Sequence, residues 1–299
     1  MAGGAGFIGS NFIRSIPHRG KKIKVLDDLS SGRAKDLNNL PVELIVGDIR
    51  DRSLVDQTMA GVQIVVCLAA HTGVIQSVEN PAADMSVNVE GTLNLLEAAV
   101  RHRVDRFIFA STGGAIVGEA EPPVHEEMPP RPLSPYGASK LAGEGYCSAY
   151  AGSFGLETIA LRFSNVYGPR STYKGSVVAK FIKNILSGIP LTIYGSGGQT
   201  RDFIYVEDLC DAIDLALSAA DPKAFGSVFQ IATFSETAVN ELAEMLKSVA
   251  EKAGLGPVEI LYEDERAGEI TRSFSDISRA KALLGFHPIY DLKEGLLKT

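Results

Sequence analysis

The chain has 299 residues, of which 45% are hydrophobic and 22% charged, and its formal net charge is −7. This composition is that of a globular protein long enough for one large α/β domain with a lobe, or for two domains. The acidic balance disfavours binding to nucleic acid or to a membrane surface, and no run of about 18 apolar residues could span a membrane. A cytoplasmic location is expected. The widely spaced cysteines are expected to be reduced thiols that form neither a disulfide nor a metal site: Cys67, Cys147 and Cys210.

The first predicted feature is a glycine-rich loop within the first ten residues. The segment Gly3–Gly9 reads as G-x-x-G-x-x-G or, from Gly4, as G-x-G-x-x-G. Such glycines let the backbone turn tightly and approach a pyrophosphate, and a helix predicted to begin near Ser10 would point free N–H groups at that anion. We expect Pro17 and Gly20 to end this helix.

The strand that should precede such a loop is missing from the sequence pattern. Only Met1 and Ala2 stand before Gly3, whereas a dinucleotide-binding loop normally follows a first parallel strand. Either the sequence is truncated or the sheet is predicted to lack its central strand. Because that strand would be buried on both faces, its loss is expected to weaken both stability and cofactor binding.

The next predicted strand ends in two carboxylates. The apolar run Ile23–Leu29 contains Asp27 and Asp28, and Asp27 lies 18 residues after Gly9, close to the spacing at which a carboxylate binds the adenosine ribose hydroxyls. A carboxylate in this place would repel a 2′-phosphate, so the pattern favours NAD over NADP. The alternative is a surface turn with two solvated acids.

Short β-branched runs alternate with helical stretches up to about residue 165, and this alternation predicts an α/β fold with a doubly wound parallel sheet. Residues 1–165 would form the NAD-binding domain. Residues 166–299 would form mostly a smaller substrate lobe, with some segments returning to the main sheet. Further strands are predicted at Val42–Val46, Ile64–Leu68, Arg106–Ala110, Thr158–Phe163, Leu191–Tyr194 and Val228–Ile231. Helices are predicted at Ser86–Arg101, Tyr136–Phe154, Ser176–Ser187, Val206–Ala219, Glu236–Ala253 and Asp276–Leu284.

One of these helices carries a candidate for proton transfer. Tyr136 and Lys140 lie four residues apart, a spacing that places both side chains on one face of a helix. A phenol is a poor base at neutral pH, but a cation beside it favours the phenolate and lowers its pKa. Taken alone, the pair is equally compatible with a solvated helix face.

Together these features resemble the extended short-chain dehydrogenase/reductase superfamily, in particular NAD-dependent nucleotide-sugar epimerases of the UDP-glucose 4-epimerase type. The resemblance implies a Rossmann fold, NAD as cofactor, a nucleotide-diphosphate sugar as substrate and a homodimer formed through the two long helices. Six motifs in order carry it: GGAGFIGS (Gly3–Ser10), GDI (Gly47–Ile49), LAA (Leu68–Ala70), SPYGASK (Ser134–Lys140), LRFSNVYGPR (Leu161–Arg170) and QTRDFIYVEDL (Gln199–Leu209).

The resemblance also implies which residues hold the cofactor. Asp48 would accept from the adenine amine and Ile49 would pack on its ring; a cap on the next helix is the alternative for Asp48. Asn88 would orient neighbouring backbone, and plain core packing is the alternative for Leu68–Ala70. The full implied set is Gly3, Gly6, Phe7, Ile8, Gly9, Asp27, Asp28, Asp48, Ile49, Leu68, Ala69, Ala70, Asn88, Ser111, Tyr136 and Lys140.

For catalysis, the resemblance implies that Tyr136 takes the proton of the sugar 4′-hydroxyl while Lys140 binds the nicotinamide ribose and holds the phenolate. Hydride would pass to NAD and return to the other face of a transient 4-keto sugar, inverting C4. The family's third catalytic hydroxyl would fall at Gly113. Thr112 is the candidate to replace it, directly or through a water; alternatively, Ser111 and Thr112 only end the strand.

Related 4,6-dehydratases carry an Asp-Glu pair where this chain has Gly113 and Gly114, which favours epimerisation. The small side chain of Ser273 is expected to leave room for an N-acetylated or otherwise enlarged sugar as well as a simple hexose, and the segment His71–Val74 resembles uronate epimerases. A nucleotide-sugar decarboxylase or 4,6-dehydratase, or a non-catalytic NAD-binding sensor or scaffold, is the alternative. The substrate residues implied are Asn165, Val177, Tyr194, Arg201, Arg266, Glu269 and Ser273, the two arginines neutralising the diphosphate.

Overall fold

The computed structural model describes residues 1–16, 22–171, 174–265 and 271–299. Its strands are short, and most of the longer ones lie in one parallel sheet. In chain order they are β1 (Ile23–Asp27), β2 (Val42–Val46), β3 (Ile64–Cys67), β4 (Arg106–Thr112), β5 (Glu157–Phe163), β6 (Asn165–Tyr167), β7 (Leu191–Tyr194), β8 (Thr200–Arg201), β9 (Phe203–Tyr205), β10 (Ser227–Ile231), β11 (Thr237–Ala238) and β12 (Ile260–Glu263).

The main sheet consists of two groups of parallel strands. Strand β1 pairs with β2, and the other group has the order β10, β5, β4, β3. The longest pairing joins β4 to β5 and runs from Arg106 opposite Glu157 to Thr112 opposite Phe163. Because both faces are covered by helices, the central strands are nearly continuous runs of buried apolar residues. The doubly wound α/β sheet predicted from the sequence is confirmed.

Met1 and Ala2 join the two groups of strands. No regular strand precedes the glycine loop in the described residues, but Ala2 forms parallel bridges to Leu26 of β1 and to Cys67 of β3. The N–H of Ala2 donates to the carbonyl of Val66 at 2.9 Å, and the N–H of Leu26 donates to the carbonyl of Met1 at 2.9 Å. The prediction of a sheet without its central strand therefore needs correction, because these two residues close the gap next to the loop.

Helices cover both faces of the sheet. They are α1 (Phe7–Ser15), α2 (Arg52–Met59), α3 (Val74–Glu79), α4 (Pro81–Met85), α5 (Gly91–Arg101), α6 (Gly113–Val117), α7 (Pro135–Phe154), α8 (Val177–Leu186), α9 (Val206–Ser218), α10 (Val239–Lys252), α11 (Ser278–Leu284) and α12 (Leu292–Lys298). Helix α1 begins at Phe7, earlier than the predicted start near Ser10; Pro17 and Gly20 lie outside the described residues. No helix among the described residues is long and apolar enough to cross a membrane.

Helix α7 has a clear start and end in the sequence. The Ser134 side chain accepts from the N–H of Gly137 at 3.2 Å, Pro135 occupies the first helical turn, and Gly155 follows the last turn with φ 69°. These are the preferred residues for an N-cap, a first turn and a left-handed C-terminal residue. The helix packs on β4 and β5, so its inward face reaches the carboxyl ends of those strands.

The C-terminal residues add smaller pairings beside the main sheet. Strand β6 pairs with β9, β7 with β12, and β8 with β11. Strand β10 returns to the main sheet beside β5, with Ser227 opposite Ile159. A single apolar core runs from α1 and α9 into these C-terminal elements and includes Phe12, Phe181 and Phe229.

Candidate active site

The glycine loop follows Ala2 and lies against the end of β3. Gly3 has a φ of 78°, and a Cβ at this position would lie 2.5 Å from the N atom of Ala69. A Cβ on Gly9 would lie 2.6 Å from the Cα of Gly4. These contacts are with backbone atoms that cannot move aside, so the loop requires glycine at both positions. The loop therefore turns tightly, and a tight glycine loop of this kind lets its backbone approach a diphosphate.

The first turn of α1 faces the same loop. Among the described residues no side chain caps the helix at Gly6, so the N–H groups of Phe7, Ile8 and the next residue remain available to an anion. The Lys174 ammonium lies 4.9 Å from the centre of the Phe7 ring, and burial lowers the pKa of this lysine to about 8. Sequence reasoning missed this cation, which no motif marks. The loop and the helix start fit the diphosphate of a dinucleotide.

The two acids at the end of β1 have different surroundings. Asp27 is 7% exposed, and its carboxylate oxygens accept from the N–H groups of Ala5 at 2.8 Å and Leu29 at 2.9 Å. Burial raises the pKa of Asp27. Asp28 is exposed and accepts from the Ser30 hydroxyl. Asp27 thus holds the glycine loop, while each of its oxygens keeps a lone pair for a ribose hydroxyl; the predicted ribose contact stays a prediction.

The residues predicted to contact adenine lie after β2. Asp48 forms a bidentate ion pair with Arg50, and this hydrogen bonding lowers the pKa of the Asp48 carboxyl. Asp48 is not the cap of the next helix, because the side chain of Asp51 accepts the first N–H groups of α2. Ile49 is only 4% exposed and packs on Gly91 of α5. Most of its side chain is therefore in the core rather than on the crevice.

Asn88 holds the backbone where the chain leaves β3. Its Oδ1 accepts from the N–H of His71 at 2.8 Å, and its Nδ2 donates to the carbonyl of His71 at 2.9 Å and to the Ser139 hydroxyl at 3.1 Å. It lies in a π-helical turn, Ser86–Glu90, that joins α4 to α5; such turns are frequent at functional sites. The amide fixes the segment that follows Leu68–Ala70, which agrees with an orienting role.

Tyr136 and Thr112 meet at the end of β4. The Thr112 hydroxyl acts on the Tyr136 phenol and favours the phenolate, but burial outweighs this effect and raises the pKa of Tyr136 to about 12. The nearby Asp84 carboxylate also raises it. The structure thus brings the predicted tyrosine and hydroxyl together. The predicted lowering of the Tyr136 pKa is not found, because burial dominates.

Lys140 lies one turn after Tyr136 on α7 and is 3% exposed. Its Nζ donates to the carbonyl of Ala110 at 2.9 Å and lies 4.9 Å from the centre of the Phe109 ring. Burial lowers the pKa of Lys140. The phenol and the ammonium therefore both face β4, as the four-residue spacing predicted, but the lysine is held by a strand carbonyl.

A buried ion pair lies one further turn along α7. Glu144 accepts from the Nε and Nη2 atoms of Arg162 on β5, each at 2.8 Å, and from the Ser111 hydroxyl at 2.6 Å. All three residues are at most 5% exposed. Ser111 therefore points into the core, and this geometry does not support its predicted role in cofactor binding. The signal for the pair was present, because Glu144 continues the four-residue spacing of Tyr136 and Lys140.

Gly113 stands where the third catalytic hydroxyl was expected. A Cβ at this position would lie 2.8 Å from the Oε1 atom of Gln230 on β10. The Gln230 side chain is fully buried, and neither of its polar side-chain atoms has a partner among the described residues. Gln230 fills the space that a larger side chain would need, which leaves Thr112 as the hydroxyl next to the phenol.

A cavity of about 280 Å³ opens beside Thr112. Ser273 and Gly114 lie side by side on its wall, since a Cβ on Gly114 would lie 3.4 Å from the Ser273 Oγ. Exposed Asn165 and half-buried Arg201 also line it. The structure thus brings three of the predicted substrate residues to one cavity, next to the catalytic candidates.

The remaining predicted substrate residues lie elsewhere or cannot be placed. Val177 is the first residue of α8, and Tyr194 ends β7 with the Lys180 ammonium 5.5 Å from its ring centre. Arg266 and Glu269 lie outside the described residues. Their predicted contacts with the nucleotide stay predictions.

Comparison with known proteins agrees with this arrangement. A model of the NAD dependent epimerase/dehydratase family matches residues 1–232. A putative UDP-glucose 4-epimerase from Methanocaldococcus jannaschii is 40% identical over 303 residues, covering 100% of this chain and 96% of the relative. Two UDP-glucose 4-epimerase structures, from Thermotoga maritima with UDP-glucose and from Thermus thermophilus with NAD, are each 38% identical, with TM-scores of 0.92 and 0.90. Each covers 100% of this chain, which covers 96% of each.

Other similar proteins are named for different activities. A dTDP-glucose 4,6-dehydratase from Streptomyces niveus is 34% identical and a UDP-N-acetyl-α-D-glucosaminuronate decarboxylase from Bacillus cytotoxicus is 31% identical; both alignments cover 100% of this chain, and 90% and 95% of the relative.

The fold and the site define a dinucleotide-dependent enzyme of the Rossmann class. The chain belongs to the NAD dependent epimerase/dehydratase family, within the extended short-chain dehydrogenase/reductase superfamily, and its cofactor is NAD. The family, the fold class and the cofactor predicted from the sequence are confirmed.

Proposed function

We propose that the protein is an NAD-dependent 4-epimerase that inverts C4 of a nucleotide sugar through a transient 4-keto sugar. The observation that carries this proposal is the position of Thr112, whose hydroxyl acts on the Tyr136 phenol and which lines the same cavity as Arg201 and Ser273. A phenol held in this way can take a proton from a sugar hydroxyl and give it back. Epimerisation needs no further acid or base from the chain.

The protein residues have separable roles in this proposal. Tyr136 moves the proton of the 4-hydroxyl, and Thr112 holds the phenol and favours its ionised form. Lys140 would donate to the nicotinamide ribose, while the Gly3–Gly9 loop would hold the cofactor diphosphate. The chemistry that NAD supplies when bound is reversible acceptance of hydride from C4.

The acids and bases available at the cavity favour epimerisation over dehydration or decarboxylation. Gly113 and Gly114 offer no acid or base beside Thr112. Among the described residues that line the cavity the carboxylate is Asp202, whose oxygens accept from Thr233 and from the N–H of Ser275. Asp202 is thus engaged in holding the loops, and elimination of water would need a free acid–base pair.

The substrate we propose is a UDP-linked hexose, N-acetylhexosamine or uronate. Gly114 and Ser273 are both small and lie side by side on the cavity wall, which leaves the space in front of them for a substituent on the sugar. The Arg201 guanidinium suits the phosphate oxygens of the diphosphate. Ser273→Tyr should reduce turnover of UDP-N-acetylglucosamine more than that of UDP-glucose. An unchanged ratio of the two kcat/KM values would exclude Ser273 as a determinant of sugar size.

The function is tested by incubating the protein and NAD with UDP-glucose, UDP-N-acetylglucosamine and UDP-glucuronate and identifying the products by NMR. We expect the C4 epimer of at least one sugar. A 4-keto-6-deoxy sugar would instead indicate a dehydratase, and a pentose a decarboxylase. Tight binding of NAD with no turnover of any sugar would favour a non-catalytic sensor or scaffold.

We also propose a homodimer in the cytoplasm, because apolar side chains are exposed on three neighbouring helices and the cysteine thiols are unpaired. Val78 on α3 is 61% exposed, Met85 on α4 46% and Phe154 on α7 58%, and a shared apolar face of this kind marks an interface. Light scattering should give twice the chain mass, and Met85→Glu should shift it towards the monomer. Leu255→Glu, at an exposed site elsewhere, is the matched control; a monomeric parent protein would contradict the proposal.

A further inference from the structure

Asp84 is a buried carboxylate that the proposed proton transfer does not use. It lies on the short helix α4 and is 2% exposed. Its Oδ1 accepts from the Asn88 amide at 3.0 Å, but its Oδ2 is buried and has no hydrogen-bond partner among the described residues. A buried charged oxygen without a partner is costly, because the group has lost its water. Such a group calls for a reason beyond packing.

The position of Asp84 links it to the catalytic helix. The same Asn88 amide that donates to Asp84 also donates to the Ser139 hydroxyl and to the carbonyl of His71. Ser139 precedes Lys140 on α7, and its hydroxyl donates to the carbonyl of Tyr136 at 3.0 Å. Asp84 therefore completes a hydrogen-bonded chain that ties the segment after β3 to the first turn of α7.

Asp84 also acts electrostatically on both catalytic candidates. The groups whose charges act on Lys140 are Cys67, Asp84, Cys147 and Glu144. Burial raises the pKa of both cysteine thiols, so they remain neutral.

The other carboxylate near Lys140 is already neutralised. Glu144 accepts two hydrogen bonds from the Arg162 guanidinium. Of the four groups, Asp84 therefore supplies the negative charge near Lys140 that no cation neutralises among the described residues, and one of its oxygens has no partner there. Its charge also raises the pKa of Tyr136, as burial does, whereas the Thr112 hydroxyl lowers that pKa.

We propose that Asp84 is a positioning residue of the active site, whose carboxylate is the counter-charge of the buried Lys140 ammonium and fixes α7 through Asn88. This residue keeps the lysine charged although the Lys140 side chain is only 3% exposed. Its negative charge also opposes ionisation of the Tyr136 phenol, so that the two catalytic groups titrate at higher pH than they would without it. The kinetic part of its test rests on the proposed function, whereas the binding part does not.

The test is Asp84→Asn, which removes the charge and keeps the shape. Loss of a negative charge lowers the pKa of both Tyr136 and Lys140. Both limbs of the kcat/KM profile against pH should therefore move to lower pH by about one unit, the range expected for a charge lost from a buried neighbour. Asp84→Glu keeps the charge and should keep the parent profile. A lower maximum of kcat/KM without movement of either limb along the pH axis would overturn the proposal.

The second readout is NAD affinity, measured by calorimetry across pH without any sugar. Lys140 should lose its proton at lower pH in Asp84→Asn, so the alkaline loss of NAD binding should move to lower pH. If the parent turns over no sugar, the proposed function fails but this titration still decides the role of Asp84. An unchanged pH dependence of NAD binding would refute it.

The matched control is Asp208→Asn, because Asp208 is also buried at 1% exposure but holds the N–H groups of Ile289 and Tyr290 on the α9 side. Its loss should lower stability without moving either limb. Asp84→Leu is a second neutral variant that leaves no unpaired acceptor, and it should shift the profile as Asn does. If neither neutral variant folds while Asp208→Asn does, Asp84 is a folding residue and the proposal is wrong.

Discussion

Replacing Thr112 with valine removes one hydroxyl and leaves the shape of the side chain nearly unchanged. That hydroxyl acts on the Tyr136 phenol and favours its ionised form. A buried polar group left without its partner costs about 1–3 kcal/mol. If that cost is borne in the transition state, kcat/KM falls about 5- to 150-fold.

The pH dependence of the Thr112→Val defect follows from the effect of the same hydroxyl on Tyr136. The Thr112 hydroxyl holds the Tyr136 pKa below the value that burial alone would set. In Thr112→Val this pKa rises still further above the assay range, so a smaller fraction of the phenol is ionised at every pH and kcat/KM should fall by nearly the same factor throughout. The assay is the initial rate of epimerisation, followed by NMR or by a coupled enzyme between about pH 6 and pH 10.

Thr112→Ser is the matched control, because it keeps the hydroxyl and should keep most of the parent rate and its pH profile. Equal rates for Thr112→Val and the parent at every pH would refute the assignment of Thr112. A loss that disappears at either end of this pH range would show that the hydroxyl does not act through the Tyr136 pKa.

Three further predictions concern the loop, the core and the base. Gly9→Ala should weaken NAD binding by at least about tenfold, since its Cβ would overlap loop backbone at 2.6 Å, while Gly145→Ala, with no atom within 4 Å of its Cβ, should leave calorimetric NAD affinity unchanged; equal affinities would contradict the close-packed loop. Glu144→Gln should lower the free energy of unfolding in urea by about 3–5 kcal/mol, because Arg162 is left buried and unpaired, and a loss under about 1 kcal/mol would contradict this. Tyr136→Phe should lower kcat by about 10²- to 10⁴-fold with little change in NAD affinity, and parental kcat would end the case for a tyrosine base.

The sequence was most informative about the main sheet and the glycine loop. The predicted strand Thr158–Phe163 differs from β5 by one residue, because burial on both faces imposes a mostly apolar run that Arg162 interrupts only through its pairing with Glu144. The strands β6, β8, β9 and β11 have only two or three residues, too few to show any periodicity. The bridges formed by Ala2 could not be predicted, because they depend on β1 and β3 lying on either side of it, and these two strands are far apart in the sequence.

The catalytic residues were predicted less completely than their motifs suggested. Spacing placed Tyr136 and Lys140 on one face of α7, but it could not show that burial would control the phenol pKa. Asp84 was missed because no motif marks it; its importance comes from a buried oxygen that only coordinates reveal. The family resemblance assigned Ser111 to the cofactor, yet alternation along β4 turns it to the opposite face, towards Glu144.

The measurement that tests the central claim most directly is the fate of a deuterium placed at C4 of the sugar. The account predicts that the protein, supplied with NAD and a UDP-sugar deuterated at C4, yields the C4 epimer with the deuterium still at C4, because hydride leaves and returns within one closed site. An epimer that has exchanged the label for solvent hydrogen, or a product that keeps its C4 configuration, would contradict the account.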